Sequence, residues 1–134
     1  MFVDDHKITA EAPTAAGTTT IDSAAYDMQG FQEVCCIVRL GTPAANNNIR
    51  ARQATSSGGT YADLLNTLVT HATNNQLMLT INKPGKEFVQ FRVTRGTSTT
   101  IDSLVVVQTR ARTNPVTQPT STSEQYLSPI EGTA

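Results

Sequence analysis

Tryptophan is absent from this chain, and only seven aromatic residues stand among its 134 positions. Sugar-binding surfaces lean on exposed rings, so that scarcity weighs against a carbohydrate-binding module. Charged residues make up 16%, and no apolar run approaches the roughly 20 residues needed to cross a bilayer. A membrane partner is therefore not expected. The start MFVDDHKITAEAP lacks a basic stretch followed by an apolar one, so no secretory signal is read there. Synthesis in a cytoplasm is the expectation. Cysteine is limited to the adjacent Cys35 and Cys36, which in an extended strand point to opposite faces and cannot bridge without a strained turn. They read as reduced thiols in or near the core.

The usual signatures of catalysis are missing too. There is no Gly-x-Gly-x-x-Gly, no phosphate-binding loop and no Gly-x-Ser-x-Gly elbow. Gly85-Lys86 follows Pro84 without the upstream glycine of a phosphate loop, so it reads as turn chemistry. His6 and His71 lie far apart in sequence, and Cys35-Cys36 has no second cysteine pair, which leaves no metal-ligand spacing. Ser57, His71 and Asp63 make a triad only on paper, as any chain this rich in Ser and Asp permits. The one adjacent acid pair, Asp4-Asp5, sits near the N-terminus, where catalytic geometry is hard to hold. No catalytic, cofactor-binding or metal-binding residue is assigned, and the chain is not read as an enzyme.

What the chain does have is neutral polar side chains. Threonine occurs 22 times, and with Ser, Asn and Gln at 8 each these types fill 46 of 134 positions. Thr is β-branched, while Asn and Ser favour turns over helix, so the composition points to an all-β protein. A net charge of −1 disfavours nucleic acid as a partner. The charge is uneven: residues 1–33 hold six acids against Lys7, and residues 34–134 hold five acids against nine bases. Such asymmetry suits two parts of a chain, or two copies, meeting face to face, and it is also common in solvated arms. Seven of the ten bases are arginine: Arg39, Arg50, Arg52, Arg92, Arg95, Arg110 and Arg112. Arginine forms bidentate carboxylate pairs at interfaces, although on strand surfaces it is as often merely solvated.

Along the chain, residues 1–17 read as an N-terminal arm, with a strand expected at Thr18 to Ser23. Phe31 to Leu40 is the best strand, and Val34, Cys36, Val38 and Leu40 form its core-facing set. A short strand follows at Ile49 to Ala54, then the turn Ser56-Ser57-Gly58-Gly59. In TYADLLNTLVTHA, residues 60–72, apolar groups fall at 61, 64, 65, 68, 69 and 72, with Thr60 and Asp63 placed for a capping box. That spacing predicts one short helix. Three further strands are expected at Gln76 to Asn82, Glu87 to Thr94 and Thr100 to Ala111. The expected fold is thus a single antiparallel β-sandwich or jelly-roll-like domain over 18–112, flanked by arms. The C-terminal arm, 113–134, has three prolines and cannot form a core of its own. Its apolar residues Val116, Tyr126, Leu127, Pro129 and Ile130 are spaced like pegs on a strap that would lie across another surface.

Several stretches together resemble the decoration, or cement, proteins of tailed bacteriophages. They are IDSAAYDMQGFQEVCCIVRLGT, then a strand, a Ser-Gly-Gly turn and Tyr61-Ala62-Asp63, then NQLMLTINKPGKEFVQFRVTRGT, an apolar strand, and the tail from Ser128 to Ala134. The likeness spans roughly residues 20–134 and rests on soft patterns, none of them a catalytic signature. It implies a structural virion protein on the capsid exterior, often a homotrimer, that binds major capsid protein and bridges its subunits without a cofactor. Arg110 and Arg112, with the five tail residues, are the candidate capsid or subunit contacts. A head-tail or tail-tube component and a glycan-binding β-sandwich are the alternatives.

Overall fold

Two antiparallel sheets packed face to face make up the protein in a computed structural model that describes residues 2–70 and 72–119. In chain order the elements are α1 (Phe2–Asp5), β1 (Lys7–Glu11), β2 (Thr14–Gly17), β3 (Ile21–Asp22), β4 (Tyr26–Asp27) and β5 (Glu33–Leu40). They continue with β6 (Asn48–Ala54), β7 (Ala62–Asp63), β8 (Val69–Thr70), β9 (Gln76–Asn82), β10 (Phe88–Thr94) and β11 (Thr99–Thr109). The first sheet runs β1-β11-β5-β9, with β2 also on β11. The second runs β3-β10-β6-β7, with β4 also on β10 and β8 also on β6. The described residues are all-β, as the composition implied, apart from the four-residue α1 near the start. No described helix is long and apolar enough to cross a membrane.

Alternation builds the core. Val34, Cys36, Val38 and Leu40 are all completely buried, as read from the sequence, and Leu104 and Val106 of β11 lie beside them. Facing them across the sandwich are Ile49 and Ala51 of β6 and Val89, Phe91 and Val93 of β10. Tyr26 tilts against Phe91, ring centres 6.5 Å apart. Its hydroxyl donates to Glu11 Oε1 at 2.5 Å, which ties β4 of the second sheet to β1 of the first. Burial, and then that carboxylate, push the Tyr26 phenol well above its ordinary range.

At one end of the sandwich, where β5 finishes and β11 begins, the polar groups are buried and satisfied. The Arg95 guanidinium donates to the carbonyls of Thr19, Ala15 and Thr99 at 2.9, 2.8 and 2.8 Å, and to Thr19 Oγ1 at 2.7 Å. Asn47, also buried, donates to the Thr42 carbonyl and accepts from Gly96 N. Gly96 must be glycine, because a Cβ there would lie 2.7 Å from the backbone carbon of Asn46.

Two expectations give way. Among the described residues of 60–72 there is no helix; they contribute the two-residue strands β7 and β8, both on β6. Asn66 takes φ 62°, a left-handed turn that a helix interior excludes, and Thr67 Oγ1 accepts from Ala51 N while donating to the Leu64 carbonyl. Of the supposed apolar stripe only Leu64 and Val69 pack against the core, while Leu65 is 88% exposed. The edge of β6 needs partners, and the pairs Arg52 with Asp63 and Ile49 with Val69 supply them. Likewise the first 17 residues are not simply an arm. β1 pairs with Leu104 to Gln108, and β2 pairs with the start of β11, so the long strand β11 has a neighbour on both sides.

Candidate functional site

The opposite end of the sandwich is open. Where β5 starts, the hairpin loop between β9 and β10 comes against it, because Lys83 takes φ 51° and its N–H reaches the Gln32 carbonyl at 2.6 Å. From the other side Arg112 N donates to the carbonyl of Gly30, itself at φ 89°. Between them lies a cleft of about 580 Å³ with Phe31 and Gln32 in its wall and Lys83, Lys86 and Arg112 around it, against a single acid, Glu87. A smaller hollow shares Phe31 and is lined further by Lys7, Pro115 and Val116. The arrangement is a cationic, partly apolar recess suited to an acidic or amphipathic protein segment. Among the described residues no three His, Cys, Asp or Glu side chains gather as a metal ion would need.

The candidate contacts divide between this recess and residues outside the description. Arg112 lines the cleft and Val116 the hollow beside it. Arg110, with φ 55° and a side chain 60% exposed, stands 4.0 Å from Glu33. Tyr126, Leu127, Pro129 and Ile130 lie outside the described residues, as does His71. Asp63, the other charged member of the paper triad, is engaged by Arg50 and Arg52 at 3.2 and 3.1 Å. Sequence reasoning missed Phe31, Lys83 and Lys86 as lining residues. The signal was present in Lys83-Pro84-Gly85-Lys86, whose two cations flank a turn, but only the fold brings that turn against Phe31.

Residues 3–8 and 116–118 meet beside this recess. Val116 N donates to the Asp4 carbonyl at 2.9 Å. The Gln118 carboxamide accepts from Ile8 N at 3.0 Å and donates to the carbonyls of Val3 and His6 at 2.8 and 2.5 Å. Gln118 thereby caps the first N–H on the outer edge of β1, so the start of the expected C-terminal arm is seated on the domain.

The outer faces of the sheets differ in chemistry. On the second sheet Arg92 stands opposite both Asp22 and Arg50, and Arg52 stands between Gln90 and Asp63. Arg92 grips Asp22 with two bonds of 2.6 and 2.7 Å, which hold the Asp22 carboxyl below its ordinary range. Five of the seven arginines (Arg50, Arg52, Arg92, Arg95 and, at 4.0 Å from Glu33, Arg110) thus have partners within the chain. On the first sheet the corresponding rows are Ala10-Val105-Ile37-Met78 and Ile8-Val107-Cys35-Thr80, apolar almost throughout.

No family model matches this chain, and no curated protein matches it. Among solved structures the chain is similar to the SPBc2 prophage-derived protein YomS, with 14% sequence identity and a TM-score of 0.48. The match covers 77% of this chain and 93% of that one. At that identity and score no residue role passes from one protein to the other.

Proposed function

We propose that this protein is a non-enzymatic structural component of a tailed-phage head, which binds the outer capsid surface as a homotrimer and bridges subunits of the major capsid protein. The observation that carries this reading is the division of the molecule into a closed end and an open one. The sandwich is rigid and internally satisfied where Arg95 and Asn47 sit. The recess of Phe31, Lys83, Lys86 and Arg112 opens at the other end, beside the seat of the C-terminal strap. A cement protein needs no reaction centre, only a stiff body with a recess and straps that engage its neighbours. Each contact is weak, because burying an apolar side chain gains about 1.5–3 kcal/mol while ordering each residue of a strap costs about 1–2 kcal/mol. Three linked copies, repeated over a capsid, make such contacts effective together.

Native mass by light scattering followed by co-sedimentation with empty heads tests the proposal. A trimer that pellets with heads, and loses that ability on Lys83→Glu with Lys86→Glu, is the expected result. A ring of six or more copies that ignores heads would move the protein to the tail or its connector. A monomer that ignores heads and is stabilised by sugars would make it a glycan-binding module.

A further inference from the structure

Three of the four sheet edges are protected. The second sheet ends in the two-residue strands β3 and β4 on one side and β7 and β8 on the other, with Asp22 and Asp63 among them. Very short, charged edge strands resist pairing with other chains. On the β1 side of the first sheet, Gln118 takes up Ile8 N and Arg95 takes up the Ala15 carbonyl of β2. The β9 edge is different. Its register with β5 is unbroken over seven residues, from Gln76 to Asn82, with no charge, proline or bulge.

Hydrogen bonds at the two ends of this pairing fix which way the β9 backbone points. Leu40 N donates to the Asn75 carbonyl, and Lys83 N donates to the Gln32 carbonyl. The bonding residues of an antiparallel pair alternate, so Leu77, Leu79 and Ile81 turn their backbone groups to β5. Gln76, Met78, Thr80 and Asn82 turn theirs outward, and no strand among the described residues takes them up. Met78 is 53% exposed on this strand.

We infer that the open edge of β9 accepts residues 120–127 of a neighbouring copy as an added strand. The sequence TSTSEQYL at 120–127 lies within the stretch between Pro119 and Pro129, is free of proline and glycine, and is long enough to span the seven residues of β9. Its start is fixed by Gln118, which sits at the β1 edge, three strand spacings or about 14 Å across the sheet from the chain's own β9. A copy that presents β9 to that side receives the segment without the segment crossing the sheet. Glu124 is its single charge, and the exposed Arg39, opposite Gln76, makes no ion pair among the described residues. Because the donor and acceptor surfaces are different, the contact is head-to-tail, and it closes as a three-membered ring when each copy is turned by a third of a circle from the last. This inference rests on the trimer proposed above, and it leaves residues 128–134 and the cationic recess to face the capsid.

The test uses full-length chains. Proline is tolerated in an edge strand whose N–H faces outward, so Thr80→Pro blocks the acceptor without breaking the sheet. T122P combined with S123P blocks the donor whichever residues bond. Each variant is expected to keep the wild-type circular dichroism and to weigh as one chain where wild type weighs as three. Mixed together they retain one good donor and one good acceptor, so a two-chain species should form, which no merely misfolded variant would give. A trimer in either variant, or a mixture that stays monomeric, overturns the inference. A monomeric wild type whose binding to heads is lost in Thr80→Pro also overturns it, in favour of a capsid strand on the same edge. A trimer that obeys these rules but ignores heads removes the capsid reading alone; one that pellets with heads and is indifferent to Thr80→Pro removes only the inference.

Discussion

The two sheets share a core and differ on the outside. The outer face of the second sheet is a lattice in which Asp22 and Asp63 pair with Arg92, Arg50 and Arg52, while that of the first carries two apolar cross-strand rows between the polar rows of Arg39 and Glu33 and ends at an open edge. Arg50 and Arg92 lie directly opposite one another, which by itself is unfavourable. Asp22 on one flank and Asp63 on the other make the arrangement tolerable. The second sheet thus carries two carboxylates among its three arginines, which leaves one net positive charge on that face. The first sheet offers surface without an internal partner. Arginine content alone would have pointed to the second sheet, whose arginines are paired within the chain.

The comparison has clear breaking points, which run from the shared interior outward. Phe91→Ala empties the middle of the core beneath both sheets, and its expected cost is about 3–5 kcal/mol, read as a large fall in melting temperature. Arg95→Met removes the donor that the carbonyls of Ala15, Thr19 and Thr99 share. Denaturant unfolding should show a loss of about 3 kcal/mol, because those acceptors stay buried. Asp63→Asn should cost about 1 kcal/mol and, unlike the first two, should lose most of its effect in about 1 M salt.

Acid sharpens the same contrast. The Asp22 carboxyl is held below its unfolded value by Arg92, so its contribution is present above about pH 4 and is lost as pH falls through the lower folded-state value. Melting curves from pH 5 to pH 2 should show this loss in wild type, and a shallower one in Asp22→Asn. The smallest effect belongs to the open side: Met78→Ser should change stability by less than about 0.5 kcal/mol. A larger loss would mean that Met78 is already covered in the isolated chain.

Legibility in the sequence followed the number of faces a segment buries. β5, β9, β10 and β11 each bury one face, so alternation marked them to within a residue or two, and the core set of β5 was readable outright. The segment 60–72 misled because Tyr61, Leu64, Leu65, Leu68 and Val69 mimic a helical stripe. Only Leu64 and Val69 use their apolar character, and the edge of β6 and the Arg-Asp pairs decide the conformation instead. β1 and β2 showed no period because strands on the margin of a sheet are specified mainly by the neighbour they pair with, here β11. Of the candidate contacts, Arg112 and Val116 fall at the open recess. Its other half, Phe31 with Lys83 and Lys86, is assembled from segments about fifty residues apart, a proximity that no local pattern encodes.

The adjacent cysteines give the molecule a built-in pair of clocks. Cys36 is completely buried and burial raises its thiol pKa, whereas Cys35, one residue away, belongs to the half-buried outer row beside Val107 and Thr80. A small alkylating reagent should mark Cys35 on the folded protein and Cys36 only when β5 opens. The lag between the two marks would time the opening of the central strand, and any ligand that settles over the first sheet should slow the earlier mark before the later one.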